Sequence, residues 1–189
     1  LPYWTTSDAG RAFVVTQIDA RRIGPLGTIR VEGLQGDPLQ AATFADIALV
    51  DDDGIWLRAR NARLQWTPGA LFTGNLEIQA IQIGFVDMLR MPRTTYESER
   101  RPPPDIGLKL DEVVIDEFRI ADNVLGPTAA SYRIAGGAAR GRNGAGFARL
   151  SVAPLSGPPD KIDASAEWSA EGGLSGKAGD VPGVQNISL

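Results

Sequence analysis

The sequence predicts an all-β protein, a long apolar sheet of antiparallel type that is built by successive hairpins and follows a short N-terminal helix. Candidate strands recur at intervals of roughly 10 to 20 residues, which is typical of a meander. The segment Ile162–Trp168 alternates strictly between apolar and polar residues, as a strand with one covered face does. With 22 glycines and 13 prolines in 189 residues, the chain also has many residues suited to turns.

The first predicted element is a helix within residues 1–27, which also include a linker. Thr5–Ser7 provides candidate caps, Asp8 lies in the first turn, and Phe13 and Ile18 belong to a set of residues at helical spacing. We expect this helix to pack on the end of the sheet; a helix lying at a membrane surface is the alternative.

Residues 28–91 form the first predicted β segment. Ile29 and Val31 alternate with charged residues, and a strand that is apolar on both faces follows them. The acidic turn Asp51–Gly54 then reverses the chain, because an Asp-Gly pair between hydrophobic runs favours a hairpin. A calcium loop is the alternative for this turn, although the spaced acidic ligands and the closing glutamate of that motif are missing.

The strand after this turn changes phase in its middle. Leu57 and Trp66 have opposite parity, so we expect a bulge near Asn61 to bring both side chains to one side of the sheet. Pro68 then opens one helical turn, where its missing N–H costs nothing. Residues 75–91 return to a strongly apolar strand pattern that slips once more.

Residues 92–105 form a predicted Pro/Arg-rich loop, because three consecutive prolines are incompatible with a strand ladder. Its arginines could contact anionic headgroups, but a solvated linker explains the mixed charge better. Strand patterns resume in residues 106–189, the second predicted β segment, at 106–121, 130–136, 145–152 and 162–168.

The composition argues against catalysis, metal binding and nucleic-acid binding. The chain has no cysteine, which excludes thiolate nucleophiles, and no histidine, so the commonest general base and the commonest metal ligand are missing. A net charge of -4 opposes phosphate binding over a broad surface. We therefore expect no enzyme activity, no catalytic residue, no cofactor, no metal site and no nucleic-acid partner; a hydrolase is a remote alternative.

Two local patterns resemble functional motifs, but their sequence context does not fit those motifs. The glycine-rich run Gly136–Gly146 resembles a phosphate loop or an RNA-binding GXXG loop, but strands rather than helices flank it. We predict a hairpin turn there. The members of the carboxylate pairs Asp111–Glu112 and Asp116–Glu117 are adjacent on a predicted strand, so the two members of each pair point to opposite faces.

Several motifs in residues 24–91 occur in a characteristic order. They are Ile29-Arg30-Val31-Glu32-Gly33-Leu34-Gln35-Gly36-Asp37-Pro38, Gly54-Ile55-Trp56-Leu57, Leu64-Gln65-Trp66-Thr67-Pro68, Leu71-Phe72, Gly74-Asn75-Leu76-Glu77-Ile78 and Met91-Pro92. This order resembles the N-terminal part of the TamB family, the AsmA-like proteins of the translocation and assembly module. The helix start Ser7–Arg11 also resembles the segment that follows the signal anchor of that family.

The resemblance implies an elongated, curved sheet rolled into an open apolar trough, which in the family is anchored in the inner membrane and extends through the periplasm. It implies a phospholipid cargo and an outer-membrane barrel partner of the TamA type, reached through a missing C-terminal part. The chain starts at Leu1 without an initiating Met and ends in Gln185–Leu189, which looks like the start of a strand. We therefore expect the membrane-proximal piece of a longer envelope protein, whose missing N-terminal anchor precedes Leu1.

The predicted function is binding and conduction of phospholipid acyl chains along this groove, between the inner and outer membranes. The residues predicted to line the groove are Leu57, Leu64, Trp66, Ile78, Ile81, Ile83, Ile115, Phe118, Ile120, Ile162 and Trp168. The main alternative is a periplasmic scaffold or chaperone that aids outer-membrane or autotransporter protein assembly by strand pairing. A closed β-sandwich with a dry core is a third possibility, and tryptophan side chains suit either a core or a groove.

Overall fold

The computed structural model describes residues 26–37, 40–93, 106–156, 161–170 and 173–178. In these residues the chain forms a single ten-stranded sheet that is curved and unclosed, with almost no helix, which confirms the predicted fold class. The predicted N-terminal helix, apart from residues 26 and 27 at its end, and the predicted loop beyond residue 93 lie outside the described residues.

The sheet follows the chain order closely, because most of its neighbouring strands are also neighbours in sequence. The strands are β1 Thr28–Glu32, β2 Gln35–Asp37, β3 Ala41–Asp51, β4 Gly54–Thr67, β5 Asn75–Met88, β6 Gly107–Ile120, β7 Ala130–Arg140, β8 Gly146–Pro154, β9 Ile162–Trp168 and β10 Leu174–Ala178. Their order across the sheet is β1-β3-β4-β5-β6-β7-β8-β9-β10, and β2 also pairs with β3.

All strand pairs are antiparallel except β5 and β6. The parallel pair runs in register from Asn75 opposite Gly107 to Met88 opposite Ile120. Backbone hydrogen bonds continue this pairing at both ends, from the Gly107 amide to the Gly74 carbonyl and from Ala121 to Met88, each 2.9 Å long. The sequence predicts successive hairpins and not a parallel pair, because the apolar patterns of β5 and β6 are the same whichever way the strands run.

The β3–β4 turn forms where the acidic motif predicts it, and arginine side chains hold it in place. Arg90 binds the Asp51 carboxylate with both terminal nitrogens and also donates to the Gly54 carbonyl at 2.8 Å. The backbone amide of Arg93 adds a bond of 2.7 Å to the same carboxylate. These hydrogen bonds, with that of Arg90 foremost, hold the pKa of Asp51 well below its usual range. Asp51 is therefore an anchor for the chain that leaves β5.

The connection between β4 and β5 is a 3-10 helix, Pro68–Thr73, which matches the predicted proline-opened turn. It ends at Gly74, whose φ of 76° lies in the left-handed region that glycine adopts without steric cost. The Thr73 hydroxyl donates to the Ala70 carbonyl at 2.8 Å and closes this turn.

The phase of β4 reverses at Asn61, as the sequence pattern indicates. Ala59 and Ala62 are both buried, at 5% and 4% exposure, while Arg60 and Asn61 between them are exposed. The predicted bulge is not the cause, because pairing with β3 keeps one register through this point. Asn61 instead has a φ of 56°, and Gly84 on β5 has no side chain to oppose the asparagine that lies against it.

The described residues form one layer and no second sheet. None of their large side chains falls below 2% exposure. The buried apolar positions include several alanines and few large side chains, and they are Val31, Leu34, Ala42, Ala48, Trp56, Ala59, Ala62, Ala70 and Val86. A closed β-sandwich with a dry interior is therefore not what this part of the chain forms.

Candidate functional site: the apolar face

The strand registers define which side chains lie together, because residues paired across neighbouring strands share a face of the sheet. Following the pairs from strand to strand gives six cross-strand rows of mainly apolar residues. Each row is identified by one member, and these members are Leu57, Ala59, Ala62, Leu64 and Trp66 on β4 and Leu76 on β5. We call the surface formed by these six rows the apolar face.

The third row shows how continuous this surface is. It crosses seven strands without a polar residue, through Phe44, Ala62, Ile83, Ile115, Ile134, Val152 and Ile162. Neighbouring strands lie about 4.8 Å apart, so the row extends over roughly 29 Å. The described residues place no second layer over it that would make it a closed core.

All eleven residues predicted from the sequence to line a groove belong to these rows. Leu57 and Ile120 lie in the first row, Phe118 in the second, Ile83, Ile115 and Ile162 in the third, Leu64 and Ile81 in the fourth, Trp66 and Ile78 in the fifth, and Trp168 in the sixth. Ten of them are half-buried, and Ile162 is 45% exposed. The set is therefore one surface that extends over many strands, not a compact pocket.

Sequence reasoning missed further members of the apolar face, and those on β3 and β7 are examples. Ile47 pairs with Ala59, and Ile134 pairs with Ile115. The β7 strand contains Ala135–Ala138, where two glycines and two alanines conceal which face is apolar. The spacing of Tyr132 and Ile134, two residues apart on one face, was the available signal.

The opposite face of the sheet is charged and paired. Its members form ion pairs between neighbouring strands, and they are Asp46, Arg58, Arg60, Asp87, Asp116, Arg119 and Arg133. We call this surface the charged face. The N–O distances are 2.7 Å for Arg58–Asp46 and 2.8 Å for Arg60–Asp87. Such solvent-exposed pairs each contribute about 0 to 1 kcal/mol, so their main effect is to keep this face hydrated.

Of the three tryptophans within the described residues, one is buried and two are half-buried on the apolar face. Trp56 is 6% exposed and donates its indole N–H to the Leu26 carbonyl at 2.9 Å, so it is a structural residue. Trp168 is half-buried on the apolar face, and its indole N–H donates to the Gly144 carbonyl at 2.8 Å. Trp66 is also half-buried there, whereas Trp4 lies outside the described residues.

The glycine-rich run forms the predicted hairpin turn between β7 and β8, closed by the Gly141 amide on the Ala145 carbonyl at 2.7 Å. No group of three acidic residues within the described ranges could hold a metal ion, and the calcium interpretation of the acidic turn has no support from the geometry.

An open depression of about 520 Å³ lies against β6–β9, and its lining includes Leu150 and Ala164 of the fourth row. Glu112, Arg149 and Asp163 contribute to its wall. The Arg149 guanidinium lies 3.4 Å from the Asp111 carbonyl, and the Lys161 ammonium lies 3.1 Å from Asp163. Because these charges bond locally and do not converge on a common point, the apolar face is the stronger candidate for a binding surface.

Among the residues that the structure describes, none belongs to a helix with the length and hydropathy needed to cross a bilayer. No family model matches the sequence, and neither the curated proteins nor the solved structures contain a match. The resemblance to the TamB family consequently stands on the motifs quoted above.

Proposed function

We propose that this chain binds phospholipids by their acyl chains on the apolar face. The observation that carries the proposal is the set of six apolar rows on one side of a single unclosed sheet. An apolar surface of this extent is unfavourable in water and requires a cover. Acyl chains cover such a surface without directional contacts, so no catalytic or polar motif is needed.

The dimensions of the rows suit this ligand. The hydrocarbon core of a bilayer is about 30 Å thick, so one acyl chain extends over roughly 15 Å. The third row, at roughly 29 Å, is therefore about twice as long as one acyl chain. Binding free energy would scale with the apolar area that is covered, at about 25 cal/mol per Å² before the costs of association.

The wider role rests on the resemblance. The Gly-x-Trp-Leu motif forms the start of β4, where Trp56 supports the sheet, and the Leu-x-Trp-x-Pro motif joins β4 to the 3-10 helix. We infer that the chain is the membrane-proximal part of a periplasmic bridge that is anchored in the inner membrane and conducts phospholipid toward the outer membrane. An outer-membrane barrel of the TamA type is the partner proposed for the full-length protein.

Native mass spectrometry of the purified chain with lipid extraction tests the binding step. We expect phospholipid to copurify and to be released on denaturation. A wild-type chain that carries no lipid, and takes up none when offered phospholipid vesicles, would contradict the proposal. Ile81→Asp places a charge on the fourth row and should reduce loading, while Gln82→Asp, on the opposite face, is the matched control.

A second candidate function is strand pairing with unfolded client proteins, favoured by the unclosed sheet. Within the described residues β1 and β10 lie at the two ends of the strand order. An added strand at such an edge would supply the scaffold role. Replacing Gly176 of β10 with proline should abolish client binding in this case and leave lipid loading unchanged, because the Gly176 amide points away from β9.

A further inference from the structure

The apolar face contains one charged side chain among the residues that the structure describes, and this is Arg140. It ends β7 and pairs with Leu108 on β6 and with Gly146 on β8. Ala138, two residues earlier, lies in the fifth row between Leu110 and Ala148. Because residues two apart on a strand share a face, Arg140 projects on the same side as these apolar residues.

Arg140 differs from the arginines of the charged face. Arg58, Arg60 and Arg133 each lie within 4.0 Å of an aspartate on a neighbouring strand. Arg140 has no ion pair and no side-chain hydrogen bond with any residue in the described ranges. Arg140 is nevertheless half-buried, and it lies on the side of the sheet that its apolar neighbours occupy.

The Trp168 ring lies beside Arg140 and is held there by a hydrogen bond. A Cβ added to Gly146 would meet the indole of Trp168 at 2.6 Å, so this ring occupies the space above Gly146 beside Arg140. The bond from the indole to the Gly144 carbonyl holds the ring there. Ala138, Ala148 and Ala166 form the adjacent fifth row, where their small side chains leave a shallow surface. An apolar ring with an arginine beside it is the pairing found where proteins meet lipid headgroups.

We propose that Arg140 binds the phosphate of a lipid whose acyl chains lie on the apolar face, which makes the preferred ligand an anionic phospholipid. This inference rests on the proposed function and specifies the headgroup end of the same site. The guanidinium presents paired N–H donors that match two phosphate oxygens, and its attraction to phosphate is strengthened beside an apolar surface.

The position of Arg140 also sets the direction in which the lipid lies. From Arg140 to Tyr132 the β7 strand extends over roughly 26 Å, which exceeds the roughly 15 Å needed by one acyl chain. The headgroup would lie at the β7–β8 turn, and the chains would extend over the fifth, fourth and third rows toward Ile134.

The test compares two lipids that differ in the phosphate alone, dioleoyl phosphatidic acid and dioleoylglycerol, both supplied from cyclodextrin complexes and quantified by native mass spectrometry. Arg140→Gln should weaken phosphatidic acid binding by about tenfold or more, the loss expected for a charge-assisted hydrogen bond. Its dioleoylglycerol binding should equal that of the wild type. The control Arg63→Gln removes an exposed charge from β4 on the opposite side of the sheet, and it should change neither affinity.

The outcomes separate the two proposals. A wild-type chain that binds neither lipid overturns the proposed function. A wild-type chain that binds both lipids, with an Arg140→Gln variant that keeps its full preference for phosphatidic acid, overturns the Arg140 site alone and leaves a guanidinium that merely extends to solvent. Displacement of the lipid by millimolar inorganic phosphate would identify a free-anion site, which also contradicts a lipid headgroup as the ligand.

Discussion

Strands β1–β5 and strands β6–β10 build one sheet but differ in how they are covered. Every apolar residue that is buried among the described residues lies between Val31 and Val86. In the second half, Leu150 and Ile162 on the apolar face remain 46% and 45% exposed. The first half therefore contributes packing free energy to the fold, whereas the second half depends more on its backbone hydrogen bonds and retains an open surface.

The largest effect on stability is expected in the first half. Val86→Asp places a carboxylate at a position that is 3% exposed, opposite Ala59 and Phe118. An unpaired buried charge should lower the free energy of unfolding by on the order of 3 to 5 kcal/mol, measured by urea denaturation. Val86→Ala, which adds no charge, is the control and should cost less. A Val86→Asp variant of wild-type stability would contradict the difference between the halves.

The Asp51 anchor gives a prediction that depends on pH. The pKa of Asp51 is lowered in the folded chain, so its charged form adds stability above the unfolded pKa of about 3.9. This contribution is lost as the pH falls toward the folded pKa. Asp51→Asn should therefore lower the melting temperature at pH 7, and the difference from wild type should narrow below about pH 4. Asp53→Asn, which affects a more exposed pair with Arg93, should have a smaller effect at pH 7.

The same substitution at Trp56 and at Trp168 compares the two halves of the sheet, because each indole donates one hydrogen bond. Trp56→Phe and Trp168→Phe each remove one indole N–H donor to a backbone carbonyl. The loss of the bond costs about 1 kcal/mol, and the more buried Trp56 should add a further packing loss. Thermal denaturation measures both changes. Lipid loading should decrease for Trp168→Phe and stay at the wild-type level for Trp56→Phe. If lipid loading decreased for Trp56→Phe and not for Trp168→Phe, Trp56 would not be a purely structural residue.

The smallest effect on stability is expected at the exposed end of the third row. Ile162→Asp should change the free energy of unfolding by no more than about 1 kcal/mol, because the side chain is already 45% exposed. Phospholipid loading, measured by native mass spectrometry, should nevertheless decrease. Unfolding of this variant would show that Ile162 belongs to a closed core, and its control Asp163→Ile tests the opposite side of the same strand.

The sequence predicted the strands where apolar residues alternate cleanly or a turn has a strong local signal. Ile162–Trp168 and the Asp51–Gly54 turn are examples, and both appear in the structure as expected. The parallel arrangement of β5 and β6 could not be predicted, because strand direction depends on pairing with a distant segment and leaves no periodic signal. The sequence located the change of face at Asn61. It could not identify the cause, because an asparagine with a left-handed backbone conformation and a β-bulge give the same apolar pattern.

The apolar face was predictable as a set of residues and not as an arrangement. Leu64, Ile81 and Ile115 are strongly apolar and could be chosen from composition, whereas their placement in rows depends on the registers of neighbouring strands. Arg140 was not selected, because the surrounding glycines and alanines conceal its face until β7 is paired with β6 and β8.

The parallel β5–β6 pair has a consequence for how the chain reaches this fold. The antiparallel strands on either side join through short local turns, so their contacts form between residues close in sequence. The pair itself joins residues roughly 30 positions apart, and loop closure over such a distance slows folding. Two meanders would then form early and meet at this seam in the rate-limiting step. Until the seam closes, each would present an unpaired strand beside an apolar surface, a state that is prone to aggregation.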